Sequence, residues 1–174
     1  YKVDLTTFIN PISIIKVLSS NDIYSFLKSI YPDKKPSVNY LSIWLDGVNF
    51  NSFKLPTETR LFHRDGNLRN KKYAVKFFVL LSKVDQDSGP FTYIKGSHKK
   101  ESQKFDSLLV DANDKWPRFT HKSVVDVYGK KNLFYLTGDP GTSTFVDTFN
   151  GLHKGSMQAS GNTRVMLSGF IGFT

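Results

Sequence analysis

Three side chains in this sequence have the types and spacing of a metal-ligand set. His63 and Asp65 stand two residues apart in Leu61-Phe62-His63-Arg64-Asp65-Gly66, and His153 follows in Gly151-Leu152-His153-Lys154-Gly155. On an extended chain, residues i and i+2 project to one face, so His63 and Asp65 can share an ion while Arg64 points away. Two neighbouring ligands hold a metal weakly, and a third from a distant strand completes a facial set. Two histidines and one carboxylate leave coordination positions open, a pattern suited to non-haem Fe(II) and O2 chemistry. Arg164, eleven residues beyond His153, brings a planar guanidinium. Such a fork binds a carboxylate through two parallel hydrogen bonds, where a lysine offers a point charge. Taken alone, His-x-Asp is a short pattern, equally compatible with a surface histidine and an aspartate capping a turn.

Composition narrows what such a site can be. The chain has 174 residues and no cysteine, which excludes disulfides, thiolate zinc sites and cysteine nucleophiles. Any metal must take His, Asp, Glu or backbone oxygen, which points to hard or borderline ions such as iron or manganese. The formal charge is +9. Its lysines are scattered as pairs at 34–35, 71–72, 99–100 and 130–131, in expected loops, and read as a solvated surface rather than a polyanion site. No nucleic-acid partner is therefore expected, although the field favours an anionic substrate or cosubstrate. The longest apolar run, Phe77-Phe78-Val79-Leu80-Leu81, is far too short to span a bilayer. With no signal-peptide pattern at the start, the expectation is a cytoplasmic protein acting on a small molecule, without a membrane partner. The chain begins at Tyr1 and ends in an apolar stretch, as a piece of a longer protein would.

The elements that must position these residues follow from periodicity. We expect one domain: a helical part over 1–36, a β core over 37–174, and an insertion at about 99–132. Asp4 or Thr6 caps a first helical segment, interrupted at Asn10-Pro11. Ser20 or Asn21 caps a second, whose Ile23, Phe26, Leu27 and Ile30 form an amphipathic stripe ended by Pro32. From residue 39 the period changes to two, with Leu41, Ile43 and Leu45 alternating against Tyr40, Ser42 and Trp44. Further strands are expected before His63 and over 73–83, 91–94, 133–136, 143–148 and 163–173. Turns are expected at Gly66-Asn67, over 85–90 and over 138–141. Residues 47–60 read as irregular, and 99–132 as polar and weakly patterned, a loop of the kind that often shapes a substrate pocket. Many short strands without intervening regular helices point to an antiparallel sandwich or barrel. Gly138-Asp139-Pro140-Gly141-Thr142 lacks the Gly-Lys-Ser/Thr ending of a phosphate loop and reads as a turn.

Four features in order carry a family resemblance. They are His63-x-Asp65, then Asp87-Ser88-Gly89-Pro90 leading to Gly96-Ser97-His98-Lys99, then Asp147 before Gly151-Leu152-His153-x-Gly155, and Arg164. From about residue 40 to 170 the chain resembles the phytanoyl-CoA dioxygenase-like family of Fe(II)- and 2-oxoglutarate-dependent oxygenases. The resemblance implies a mainly β double-stranded β-helix, a jelly-roll form, with the N-terminal helices packed on one sheet. It implies that His63, Asp65 and His153 bind iron, that Arg164 pairs with the far carboxylate of 2-oxoglutarate, and that Phe78 faces this cosubstrate. Thr144, Val146 and Thr148 share one strand face, and Arg164, Met166 and Ser168 another. Both would line the cosubstrate pocket, with Ser168 as a hydrogen-bond donor. His98 would be structural, and His121 is left as surface or substrate-facing. Family members often carry serine two residues after the distal histidine, where this chain has Gly155. Related halogenases have Gly or Ala in place of the aspartate, so Asp65 favours hydroxylation.

The implied activity consumes O2 and 2-oxoglutarate, releases succinate and CO2, and hydroxylates a small organic substrate. One alternative is a jelly-roll binding module with a vestigial metal site and a basic surface for a polyanion. Another is a cupin-like hydrolase or isomerase that uses no 2-oxoglutarate, and Arg164 is the residue that separates it from the first reading.

Overall fold

A computed structural model describes residues 2–3, 16, 20–46, 58–65, 74–109, 117–159 and 161–174. Its strands are β1 (Lys2–Val3), β2 (Pro36–Asp46), β3 (Ala74–Leu80), β4 (Phe91–Ile94), β5 (Leu133–Leu136), β6 (Ser143–Val146), β7 (His153–Gly155) and β8 (Arg164–Phe173). Two antiparallel sheets result, one with the order β1-β2-β8-β3-β6 and the other β5-β4-β7. The strand pattern pointed to an antiparallel sandwich or barrel, and the mainly β jelly-roll is the form that the resemblance implied.

The period-two alternation decides what lies on each face of the larger sheet. Val75 and Phe77 of β3 and Leu167, Ile171 and Phe173 of β8 face outward. They form a cluster with Leu27 of helix α1 (Asn21–Ile30), joined by Leu41 and Ile43 of β2. Truncating a fully buried ring such as Phe77 to alanine would cost about 3–5 kcal/mol. The intervening residues Phe78, Leu80 and Met166 face the smaller sheet, where they pack on Phe91, Tyr93 and Leu136. On β2 the outward face is aliphatic, while Ser42 and Trp44 point inward to Ser168 of β8. The functional face of this strand is thus its polar and aromatic one.

Several boundaries differ from the sequence expectation. Strand β3 stops at Leu80 rather than residue 83, because the amides of Leu81 and Ser82 both turn to the Val165 carbonyl, at 2.9 and 3.3 Å. Strand β6 stops at Val146, and only isolated bridges, Phe62 to Phe119 and His63 to His153, stand where a strand was expected before His63. Within the α1 stripe Leu27 is buried but Phe26 is 47% exposed at the margin, tilted against Phe145. The first helical segment, most of 47–60, the Gly66-Asn67 turn and Tyr73 lie outside the described residues; Glu58–Arg60 is a 3-10 turn.

The segment 99–132 is more regular than its composition suggests. It contains α2 (Lys100–Gln103), a 3-10 turn (Lys104–Leu108) and α3 (His121–Tyr128). Thr120 caps α3 by accepting from the Ser123 amide at 3.2 Å, and Gly129 ends it with φ of 82°. Leu109, Phe119 and Val124 form a third core cluster with Phe62, Ile94 and Leu152, on the side of His63 and β7 away from the sheet interface. Among the described residues no helix is long and apolar enough to cross a membrane.

Candidate metal centre

His63 and His153 are joined by two backbone hydrogen bonds, His63 N to His153 O at 2.9 Å and the reverse at 3.0 Å. Side chains of directly opposed residues lie on the same face, so the ring centroids are 4.3 Å apart. The Asp65 amide donates to the Thr148 carbonyl at 2.9 Å, which continues the extended segment and returns its carboxylate to the same side. Asp65 Oδ1 lies 3.7 Å from His63 Nε2 and 3.6 Å from His153 Nε2. The three ligand atoms lie within 4.8 Å of one another, close enough for one ion to touch all three. The sequence-expected trio therefore converges.

The local hydrogen bonds suit metal binding. His63 Nδ1 is 2.8 Å from the Leu61 carbonyl, and His153 Nδ1 is 3.1 Å from the Gly151 carbonyl. A carbonyl only accepts, so each Nδ1 carries the proton and each Nε2 presents its lone pair toward Asp65. Burial pushes His63 down from 6.5 to about 4, against the raising effect of the Leu61 carbonyl. Burial likewise pushes His153 down to about 3, with His63 beside it adding to the effect. Both imidazoles are thus neutral at neutral pH, the form in which an imidazole can bind a metal. Burial works against the Asp65 charge, but the fields of His153 and Lys76 outweigh it and hold the carboxyl below its usual range. Lys76 Nζ sits 3.0 Å from Asp65 Oδ2. Two imidazoles and one carboxylate, without sulfur, fit a borderline ion such as Fe(II).

Arg64, between the two ligands, points away as expected and fastens the segment from behind. Its guanidinium donates to the Asn150 and Ser97 carbonyls and to Asp106, which also accepts from the Tyr128 hydroxyl at 2.7 Å. The 99–132 segment is thereby tied to the stretch that carries His63 and Asp65.

A cavity of about 120 Å³ opens onto the two histidines, and Trp44, Asp46, Lys76, Phe78, Arg164 and Ser168 are among the residues that line it. Arg164 is buried, at 5% exposure, and donates through Nη1 to the Gly89 carbonyl and through Nη2 to Asp46. Its Nε is buried with no acceptor. A buried N–H without a partner costs about 1–3 kcal/mol. Ser168 Oγ accepts from Trp44 Nε1 at 2.9 Å and meets Ser42 Oγ at 3.1 Å, so the oxygen is held from two sides. Phe78 packs on Phe91 with ring centroids 4.3 Å apart, tilted by 34°, and forms an apolar wall.

The fold is shared with non-haem oxygenases. The structure of EctD from S. alaskensis with 2-oxoglutarate and 5-hydroxyectoine superposes with a TM-score of 0.60 at 15% identity, over 98% of this chain and 55% of that one. The Ni complex of the non-haem monooxygenase ThoJ gives 0.53 at 13% identity, over 91% of this chain and 52% of that one. AviO1 from Streptomyces viridochromogenes Tue57 gives 0.56 at 14% identity, over 99% and 66%. This chain thus spans between about half and two thirds of the length of these proteins. At such identities the likeness is one of fold. No protein-family model and no curated protein matches the sequence.

Of the six residues singled out from the sequence, His63, Asp65 and His153 form the cluster, and Arg164, Phe78 and Ser168 line the same cavity. Thr144, Val146 and Thr148 do not line it: Val146 packs into the core between the sheets, and Thr148 is fully buried beside Asp65. No described residue of 99–132 lines it either, since that segment packs behind the ligands. His98 is exposed on its turn, and His121 is exposed at the start of α3, stacked on Phe62. Gly155 lies beside the guanidinium, where an added Cβ would stand 3.5 Å from Arg164 Nη2. Sequence reasoning missed Lys76, Asp46 and Trp44. The signal for Lys76 was available: a lone cation at an inward position of an otherwise apolar strand.

Proposed function

We propose that this chain is an Fe(II)- and 2-oxoglutarate-dependent dioxygenase of the phytanoyl-CoA dioxygenase-like kind. In this reading it hydroxylates a small organic substrate and releases succinate and CO2. The observation that carries the reading is the clustering of His63, Asp65 and His153 at a cavity lined by both histidines and by the buried Arg164.

Iron, 2-oxoglutarate and O2 together supply the oxidising power, and the protein supplies binding and orientation. His63 and His153 would hold the metal through Nε2, oriented by the carbonyls of Leu61 and Gly151. Asp65 completes the set and fills the position that a halogenase would leave for halide, which favours hydroxylation. Arg164 would bind the far carboxylate of 2-oxoglutarate from the cavity wall. Ser168, held by Ser42 and Trp44, offers a hydroxyl on the same wall. Phe78 and Phe91 keep water from the inner face. The +9 charge favours capture of the dianionic cosubstrate. A vestigial binding module would have no use for three converging ligand atoms with their lone pairs turned toward one point.

Calorimetric titration of 2-oxoglutarate into protein loaded with Mn(II), a redox-inert substitute, tests this reading. We expect binding that requires the metal and is weakened roughly 10- to 100-fold in Arg164→Ala. Binding that ignores the metal would favour a simple anion-binding module.

A further inference from the structure

We propose that Lys76 is the positioning residue of the metal centre, an inference that rests on the metal-site reading above. It lies on β3, in Ala74-Val75-Lys76-Phe77-Phe78-Val79-Leu80, where alternate residues face the interior between the sheets. A lysine on an inward face is rare unless it is paired. Here the pairing is specific. Lys76 Nζ is 3.0 Å from Asp65 Oδ2 and 4.6 Å from the centroid of Phe170, its register partner on β8. The ring and the carboxylate fix the ammonium from two sides.

The two oxygens of Asp65 are thereby given different tasks. Oδ2 is held by Lys76, and Oδ1 is the oxygen that faces both imidazoles, 3.6 and 3.7 Å from their Nε2 atoms. A carboxylate with one oxygen tied offers a divalent ion a single donor. Left untied, it can rotate, offer both oxygens and occupy a position that a chelating cosubstrate needs. Lys76 also links β3 of the larger sheet to the ligand segment, so the carboxylate is set by the sheet rather than by its own loop.

The experiment compares Co(II) binding to wild type, Lys76→Met and Lys76→Arg, by calorimetry and by the visible spectrum of the bound ion. Partners that orient metal ligands typically contribute 10- to 100-fold to affinity. We expect Lys76→Met to bind Co(II) at least about 10-fold more weakly, with an altered visible band. Lys76→Arg should restore both. Circular dichroism checks that each variant is folded, and Lys76→Gln serves as the readout if the methionine variant is not. The competing effect has the opposite sign: an ammonium that merely repels the ion would make Lys76→Met bind more tightly. Equal or tighter binding by Lys76→Met overturns the proposal, as does an arginine variant as weak as the methionine one. Failure of wild type to bind Co(II) stoichiometrically would instead overturn the metal-site reading itself.

Discussion

Asp46 and Arg164 are register partners on β2 and β8, and the guanidinium donates to the carboxylate in the wall of the cavity. The strand pairing that builds the larger sheet thus also aims the cavity's buried cation. Asp46 holds one end of the fork, the Gly89 carbonyl holds another, and Nε has no acceptor.

Replacing Arg164 by alanine should weaken 2-oxoglutarate binding roughly 10- to 100-fold, the worth of charge-assisted hydrogen bonds in a buried site. Metal affinity should stay nearly constant. Calorimetry of both ligands checks this, and unchanged 2-oxoglutarate affinity would remove Arg164 from the assignment.

Asp46→Asn keeps an oxygen acceptor for Nη2 while removing a negative charge from the cavity. It should bind the dianionic cosubstrate several-fold more tightly, and addition of salt should reduce the gain. Weaker binding would mean that the Asp46 charge, rather than its acceptor, is what the site requires.

Gly89 has φ of 70°, and a Cβ there would approach the Ser156 carbonyl to 2.6 Å. Gly89→Ala should therefore destabilise the fold by about 1–3 kcal/mol. It should also weaken 2-oxoglutarate binding, because the Gly89 carbonyl anchors Arg164. Thermal unfolding and the same titration measure the two effects.

Acid should destabilise the metal-free protein through the two histidines. As pH falls below 6.5 the unfolded chain takes up protons on both imidazoles, whereas the folded chain resists to about 4 at His63 and about 3 at His153. The unfolded state binds more protons in that window, so stability falls as pH falls through it. Asp65, held below its usual range, adds stability that is lost at still lower pH. Between pH 7 and 5 the melting temperature should drop by on the order of 5–15 °C. His63→Gln should flatten the slope, and an equally steep slope in that variant would assign the effect elsewhere.

Much of the site was legible because its chemistry lies in residue types and their order. Parity pairs His63 with Asp65, and the order in which His153 and Arg164 follow carried the family resemblance that joined all four. Strands β4 and β5 were legible to the residue because turns bound them on both sides. What escaped depends on register between distant strands. Lys76 reads as one polar residue in an apolar run until β3 is placed against Phe170 and the ligand segment. Asp46 reads as a strand end until β8 is paired with β2. Helix α3 escaped because its eight residues bury only Ser123 and Val124, too few to mark a stripe.

The most direct test of the central claim is anaerobic addition of Fe(II) and 2-oxoglutarate, watched for the weak visible charge-transfer band of the chelated cosubstrate, followed by admission of O2 and assay of succinate. We expect the band in wild type, its loss in His63→Ala, and succinate once O2 is present. Bound iron with neither band nor succinate would contradict the oxygenase reading.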